Sequence, residues 1–204
     1  MSSPASSSTS SCTAPTRSAA ERSTIEAPER RALLDLARRA IAAKLAGAAE
    51  PPLPDIPSAR ERRGAFVSLH ENGGDLRGCI GHVTNDRPLG EVIRQVAVSA
   101  AQNDPRFAPV APEELADLHI EISVLSEPVP VDVADRPRLV MGRDGVLVRS
   151  GSTHAVLLPQ VATEHGLGPE AFLDAVCQKA GLRLGSWREP GTQVFTFTAD
   201  VLVE

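Results

Sequence analysis

A chain of 204 residues with 42% hydrophobic side chains can bury a core as one domain or a compact pair of subdomains, which excludes a disordered protein. Its 21 basic against 26 acidic residues give a net charge of −5, and the densest basic group outside the first helix, Arg60, Arg62 and Arg63, is interrupted by Glu61, so nucleic acid is not an expected partner. Three widely spaced cysteines, Cys12, Cys79 and Cys177, exclude a paired disulfide framework, and no run approaches the roughly 18 apolar residues of a membrane span, so the expected location is cytoplasmic.

Residues 1–24 are rich in Ser, Thr and Ala and read as a disordered leader, although Arg17 and Arg22 also suit an organellar transit peptide. The domain is expected over 25–204. Leu33, Leu34, Ala37, Ala40, Ile41 and Leu45 recur at helical spacing, Pro28 and Glu29 suit the first turn, and Gly47 suits the end. Pro51 to Pro57 reads as an extended connector. A hairpin follows, with strands over 65–71 and 76–83 around the turn Asn72-Gly73-Gly74-Asp75. Leu89, Val92, Ile93, Val96, Ala97 and Ala100 mark a second helix opening near Asp86 and Pro88 and ending near Asp104-Pro105.

Beyond a turn around Glu113 and Glu114, His119 to Ser126 alternates as a half-buried strand with Ile120, Ile122 and Val124 facing one way. Pro128 to Pro137 reads as a loop, and 145–149 and 155–158 as a second hairpin around Gly151-Ser152. Gly168, Pro169 and Gly181 punctuate a last helix, and 194–203 closes the chain as one strand. Helices and hairpins alternate without a βαβ repeat, so the expected class is α+β, with a mostly antiparallel or mixed sheet flanked by helices.

Chemistry is densest in Leu76-Arg77-Gly78-Cys79-Ile80-Gly81. Period-two alternation puts Arg77, Cys79 and Gly81 on one face and Leu76, Gly78, Ile80 and His82 on the other. A guanidinium beside a thiol favours the thiolate, so Arg77 is the expected activator of Cys79, which could act as nucleophile, redox group or soft metal ligand. His82 is the secondary candidate. The bland alternative is a small buried cysteine, with Gly78 and Gly81 admitting a ligand or another backbone. Cys177 lies on the apolar stripe of the last helix with Phe172, Leu173 and Val176 and reads as core.

The five histidines show no HxH or HExxH spacing and no CxxC accompanies them, so no metal site is expected. His70 and His119 could still join a site assembled in space, His119 sharing a face with Glu121 and Ser123. Asp104-Pro105-Arg106-Phe107 is either a rigid loop presenting Arg106 to an anion or a plug in which Asp104 and Arg106 satisfy backbone groups. No GxGxxG, Walker or GxSxG pattern is present.

Leu76 to Gly81, Asp104 to Phe107, Leu157-Leu158-Pro159-Gln160-Val161-Ala162, and Phe172 through Lys179-Ala180-Gly181-Leu182 with Trp187 together resemble the AMMECR domain family, whose bacterial and archaeal members are called AmmeMemoRadiSam system protein A. The likeness runs in order from about residue 28 to 204. It implies an α+β fold of a larger and a smaller subdomain, with a cleft lined in part by the six-residue segment. It also implies association with a Memo-type protein and a radical S-adenosylmethionine enzyme, and it makes Leu76 to Gly81, Asp104 and Arg106 functional candidates. Three functions follow as expectations: an enzyme or covalent carrier using Cys79, a non-catalytic module binding a small molecule or protein, and, weakest, an RNA-binding module.

Overall fold

In a computed structural model of the protein, residues 25–84 and 86–204 are described; the leader expected over 1–24 lies outside them. Elements in chain order begin with α1 (Ala27–Leu45), α2 (Pro57–Arg60), β1 (Ala65–His70), β2 (Leu76–His82) and α3 (Leu89–Gln102). After a 3-10 turn at Glu114–Asp117 come β3 (His119–Leu125), β4 (Val129–Pro130), β5 (Gly145–Ser150) and β6 (Thr153–Leu157). The helices α4 (Pro159–Glu164) and α5 (Pro169–Lys179) precede β7 (Gln193–Phe197) and β8 (Ala199–Val203).

The strands form two four-stranded sheets, β2-β1-β3-β8 and β4-β7-β5-β6, in which every strand pair is antiparallel, so the fold is α+β. Val67, Leu69, Ile120, Ile122, Val124 and Leu202 line one face of the first sheet and share a core with Leu33, Leu36 and Ile41 of α1 and Val92, Ile93 and Val96 of α3. A smaller core joins Val146, Val148 and Val194 to Phe172, Leu173, Val176 and Cys177 of α5 and to Trp187. Cys177 is fully buried there. Leu125 and Phe66 meet Leu147, Phe195 and Phe197 in a third apolar cluster, which couples the two sheets.

One sequence expectation is corrected, and one element carried no sequence signal. The single closing strand over 194–203 is two strands in different sheets, switching at Thr198, whose N–H donates to Ser126 Oγ at 2.9 Å while its carbonyl accepts Ser126 N–H at 2.9 Å. Alternation continues almost unbroken through 194–203, so periodicity carries no mark of the switch. The segment after Leu158 turns into α4, with Pro159 at its start, and is too short to show a helical stripe. Within the expected loop 128–137, Arg136 is buried and donates to the carbonyls of Trp187, Thr192 (2.9 Å) and Val131 (3.3 Å).

Candidate functional site

Strand β2 forms one edge of the first sheet, and Cys79 lies at its middle. Gly78 precedes it and Gly81 lies two residues beyond it, and both are glycines for a steric reason. A Cβ on Gly78 would stand 2.3 Å from the carbonyl oxygen of Ala100 on α3, and one on Gly81 would stand 2.3 Å from the Phe66 ring. The close approach that a strand glycine signals is therefore made here by the chain itself, a helix on one face and an aromatic ring on the other.

Ser68 is the cross-strand partner of Cys79, and its hydroxyl donates to Sγ at 3.2 Å. The backbone of Cys79 points outward from the sheet, where an edge strand has no neighbour. Asp104 and Arg106 take that role. Cys79 N–H donates to Asp104 Oδ2 at 2.9 Å, and Arg106 Nη2 donates to the Cys79 carbonyl at 3.2 Å. Arg106 also grips the Asp104 carboxylate through Nε (2.9 Å), Nη2 (2.7 Å) and its own backbone N–H (3.1 Å). Hydrogen bonds from Arg106 chiefly, outweighing burial and helped by the Cys79 N–H, hold the Asp104 carboxyl well below the usual carboxylate range. The turn after α3 thus satisfies backbone groups and also leaves Arg106 half in solvent beside the thiol, its guanidinium 5.3 Å from the Phe107 ring centroid.

Cys79 itself is half-buried. Burial pushes its thiol pKa up, and the Ser68 hydrogen bond and the positive charges of Arg106 and Lys179 only partly oppose that. Lys179, the last residue of α5, is exposed by accessible surface, yet surrounding protein and the charge of Arg106 pull its pKa down from the ordinary lysine value, against the opposing pull of Cys79. Arg106 is fixed to the strand beside the thiol through the Cys79 carbonyl.

The expected activation of Cys79 by Arg77 is not what the structure builds. Arg77 reaches the other way, to Glu114 through Nε (3.0 Å) and Nη2 (3.2 Å) and to the Ala108 carbonyl (2.9 Å), tying the proline-flanked segment to β2. Glu114 is already committed to the Ala111 N–H, and that bond first and Arg77 second depress its pKa. The shared face is real; the guanidinium is simply claimed by a carboxylate. Arg106, from a distant turn, is the arginine at the thiol.

His82 is exposed at the end of β2 and lines an open concavity with Thr84, Asp86 and Arg87, away from Cys79. Leu76 is exposed at the opposite end, and Ile80 packs on the larger core. His70 Nδ1 lies 3.3 Å from the Gly74 carbonyl and His119 Nε2 3.1 Å from Asn72 Oδ1, so both are engaged at the hairpin turn. Among the described residues no three His, Cys, Asp or Glu side chains are grouped to hold a metal ion.

Sequence reading missed Ser68, Lys179 and a polar set beside them. Register aligns Cys79, Ser68 and Glu121 across three strands, and Gly81, Phe66 and Ser123 in the next row. Gln160 of α4 covers the second row, its Nε2 donating to Ser123 Oγ at 3.0 Å and Glu121 Oε1 at 3.3 Å, while its Oε1 is buried without a partner. Ser68 depends on a bulge at Leu69/His70 that shifts the hairpin register by one. Continued from the turn without it, the register would set Val67 opposite Cys79.

The AMMECR1 family model matches residues 34–202. This chain belongs to the AMMECR1 family. A relative from Methanothermobacter thermautotrophicus is 46% identical over 182 residues, covering 86% of this chain and 94% of its own length. One from Thermofilum pendens is 42% identical, covering 88% and 92%. The crystal structure of uncharacterised protein PH0010 from Pyrococcus horikoshii superposes with a TM-score of 0.83 at 39% identity, covering 87% of this chain and 92% of that one. Lys179, Gln160, Asp104 and Cys79 all lie within the AMMECR1 match. Among the described residues no helix is long and apolar enough to cross a membrane.

Proposed function

We propose that Cys79 is the nucleophile or covalent carrier of this AMMECR1 protein, taking up a small electrophile at the edge of the first sheet. The observation that carries this reading is the half-buried thiol held from three sides: Ser68 at Sγ, Asp104 at the backbone N–H and Arg106 at the carbonyl. A reacting atom whose strand is fixed on its open edge meets the positional demand of nucleophilic catalysis. The thiol is protonated at rest, because burial raises its pKa, so attack requires loss of the thiol proton to solvent or to a base.

The reading extends to a partner. Family membership supports action alongside a Memo-type protein and a radical S-adenosylmethionine enzyme, in the cytoplasm, with one of them supplying the electrophile. Intact-mass measurement of the protein purified together with these two enzymes is the test, with an added mass on Cys79 expected and none on a Cys79→Ser variant. An unmodified Cys79 that also resists alkylation would exclude the proposal.

A second reading, a non-catalytic binding module, draws on the raised thiol pKa, which marks Cys79 as a packed side chain. A Cys79→Ala variant that folds and retains full function would favour it.

A further inference from the structure

The guanidinium of Arg106 is only partly spent on the strand it fixes. Its Nε N–H and one Nη2 N–H go to the Asp104 carboxylate, at 2.9 and 2.7 Å, and the other Nη2 N–H goes to the Cys79 carbonyl at 3.2 Å. Among the described residues Nη1 has no acceptor. A guanidinium is planar and Nη1 shares one edge with Nη2, so an Nη1 N–H runs alongside the bond that Nη2 makes to Cys79. That bond lies at the surface. A free donor is therefore held, within reach of solvent, beside the backbone of the residue that carries the thiol.

The exposure of the two charges points the same way. In the Asp104–Arg106 pair the acid side chain is 2% exposed and the arginine side chain 54%, so the pair turns its positive end to solvent. Arg77, on the thiol's own strand, makes the opposite case: its side chain is 12% exposed, and its Nε, Nη1 and Nη2 all donate to Glu114 or Ala108. From this geometry we infer that the electrophile accepted by Cys79 carries an anionic oxygen group, a carboxylate or phosphate, and that the outward edge of Arg106 receives it. The inference rests on the nucleophile reading and adds the substrate class. A charged oxygen is the stronger acceptor for a guanidinium N–H, and an arginine already fixed by a buried carboxylate loses little side-chain freedom when that oxygen binds. The Phe107 ring, 5.3 Å from the guanidinium, further limits its swing.

A pair of alkylating reagents, one anionic and one neutral, tests it. Iodoacetate and iodoacetamide react alike: Sγ bonds to the methylene carbon, iodide leaves with the bonding pair, and the thiol proton passes to the buffer. On the full chain at pH 7, labelling of Cys79 is followed by peptide mass spectrometry. The iodoacetate to iodoacetamide rate ratio is compared with that of the uncharged thiol N-acetylcysteine amide, so that any change in thiol acidity cancels. We expect a ratio about fivefold higher at Cys79, the size of one half-exposed ion pair. Arg106→Gln should abolish the preference. Arg106→Lys, which keeps the ion pair with Asp104, should lose most of it, because its single nitrogen is spent there; Arg77→Met should keep it in full. A native ratio equal to that of the free thiol, one unchanged in Arg106→Lys, or one lost in Arg77→Met overturns the anionic class and the role of Arg106 while leaving the nucleophile in place. If neither reagent labels Cys79, the nucleophile reading fails and this inference fails with it.

Discussion

The carboxylate of Asp104 accepts the backbone N–H of Cys79 at 2.9 Å, so a buried acid on the turn after α3 completes an edge strand that has no neighbour of its own. Arg106 supplies the matching donor to the Cys79 carbonyl. Together the two side chains offer β2 what another strand would, and they close the edge against pairing with a foreign chain.

Asp104→Ala should therefore destabilise the fold by about 3 kcal/mol, since it unpairs a backbone donor at Cys79 and strips Arg106 of its carboxylate. The half-exposed Arg106 can recover some hydration, which keeps the cost from being larger. A pH dependence follows with a definite sign. Asp104 has a folded pKa below its ordinary value of 3.8, so its contribution is complete above that value and is lost as pH falls below it. Urea midpoints from pH 7 down to pH 3 should fall more steeply for the native protein than for Asp104→Asn; parallel curves would contradict this assignment.

Arg77 and Arg106 should separate cleanly. Arg77→Met loosens the segment around Glu114 at about 1 kcal/mol, a modest loss for a partly exposed ion pair, and leaves the alkylation rate of Cys79 unchanged. Arg106→Met removes a positive charge that lowers the thiol pKa and should slow alkylation at neutral pH. Rates measured on both variants decide the matter, and a slowed Arg77→Met would restore the sequence-based pairing.

That contrast marks what was legible in the sequence. Helical spacing and turn chemistry located α1, α3, α5 and both hairpins, because each buries a stripe or alternates about a glycine-bearing turn. Turn chemistry already allowed Asp104 and Arg106 to satisfy backbone groups, and the family resemblance pointed to the same two residues, but that the backbone is that of Cys79, 25 and 27 residues away, leaves no local trace. Arg77 was misread because face-sharing says nothing of which acid claims a guanidinium. Ser68 reaches the thiol through a one-residue bulge, which has no periodicity.

Gly78→Ala tests the packing of β2 on α3. Its new methyl would lie 2.3 Å from a backbone oxygen, which no rotamer change can move, so a loss of about 3 kcal/mol is expected, at the upper end for an overpacked site. Gly73→Ala, with nothing within 4 Å of the added atom, should change stability by less than about 0.5 kcal/mol. Equal unfolding midpoints for the two variants would show that β2 and α3 are not held this closely.

Arg136 should matter as much to the smaller core as Asp104 does to the first sheet. It is 5% exposed, burial lowers its pKa, and its guanidinium serves the carbonyls of Trp187, Thr192 and Val131. Arg136→Met keeps much of the apolar stem but orphans three acceptors, two of them in fully buried bonds, and should cost about 3 kcal/mol. Arg136→Lys retains the charge without the planar fork and should recover only part of it. Trp187 is the only tryptophan, and its Nε1 is bonded to Asp174 at 2.8 Å beside this arginine, so its fluorescence reports the change directly. The expected order of unfolding midpoints is native, then Arg136→Lys, then Arg136→Met; full recovery by lysine would mean that charge alone, and not the three-way hydrogen bonding, holds the segment.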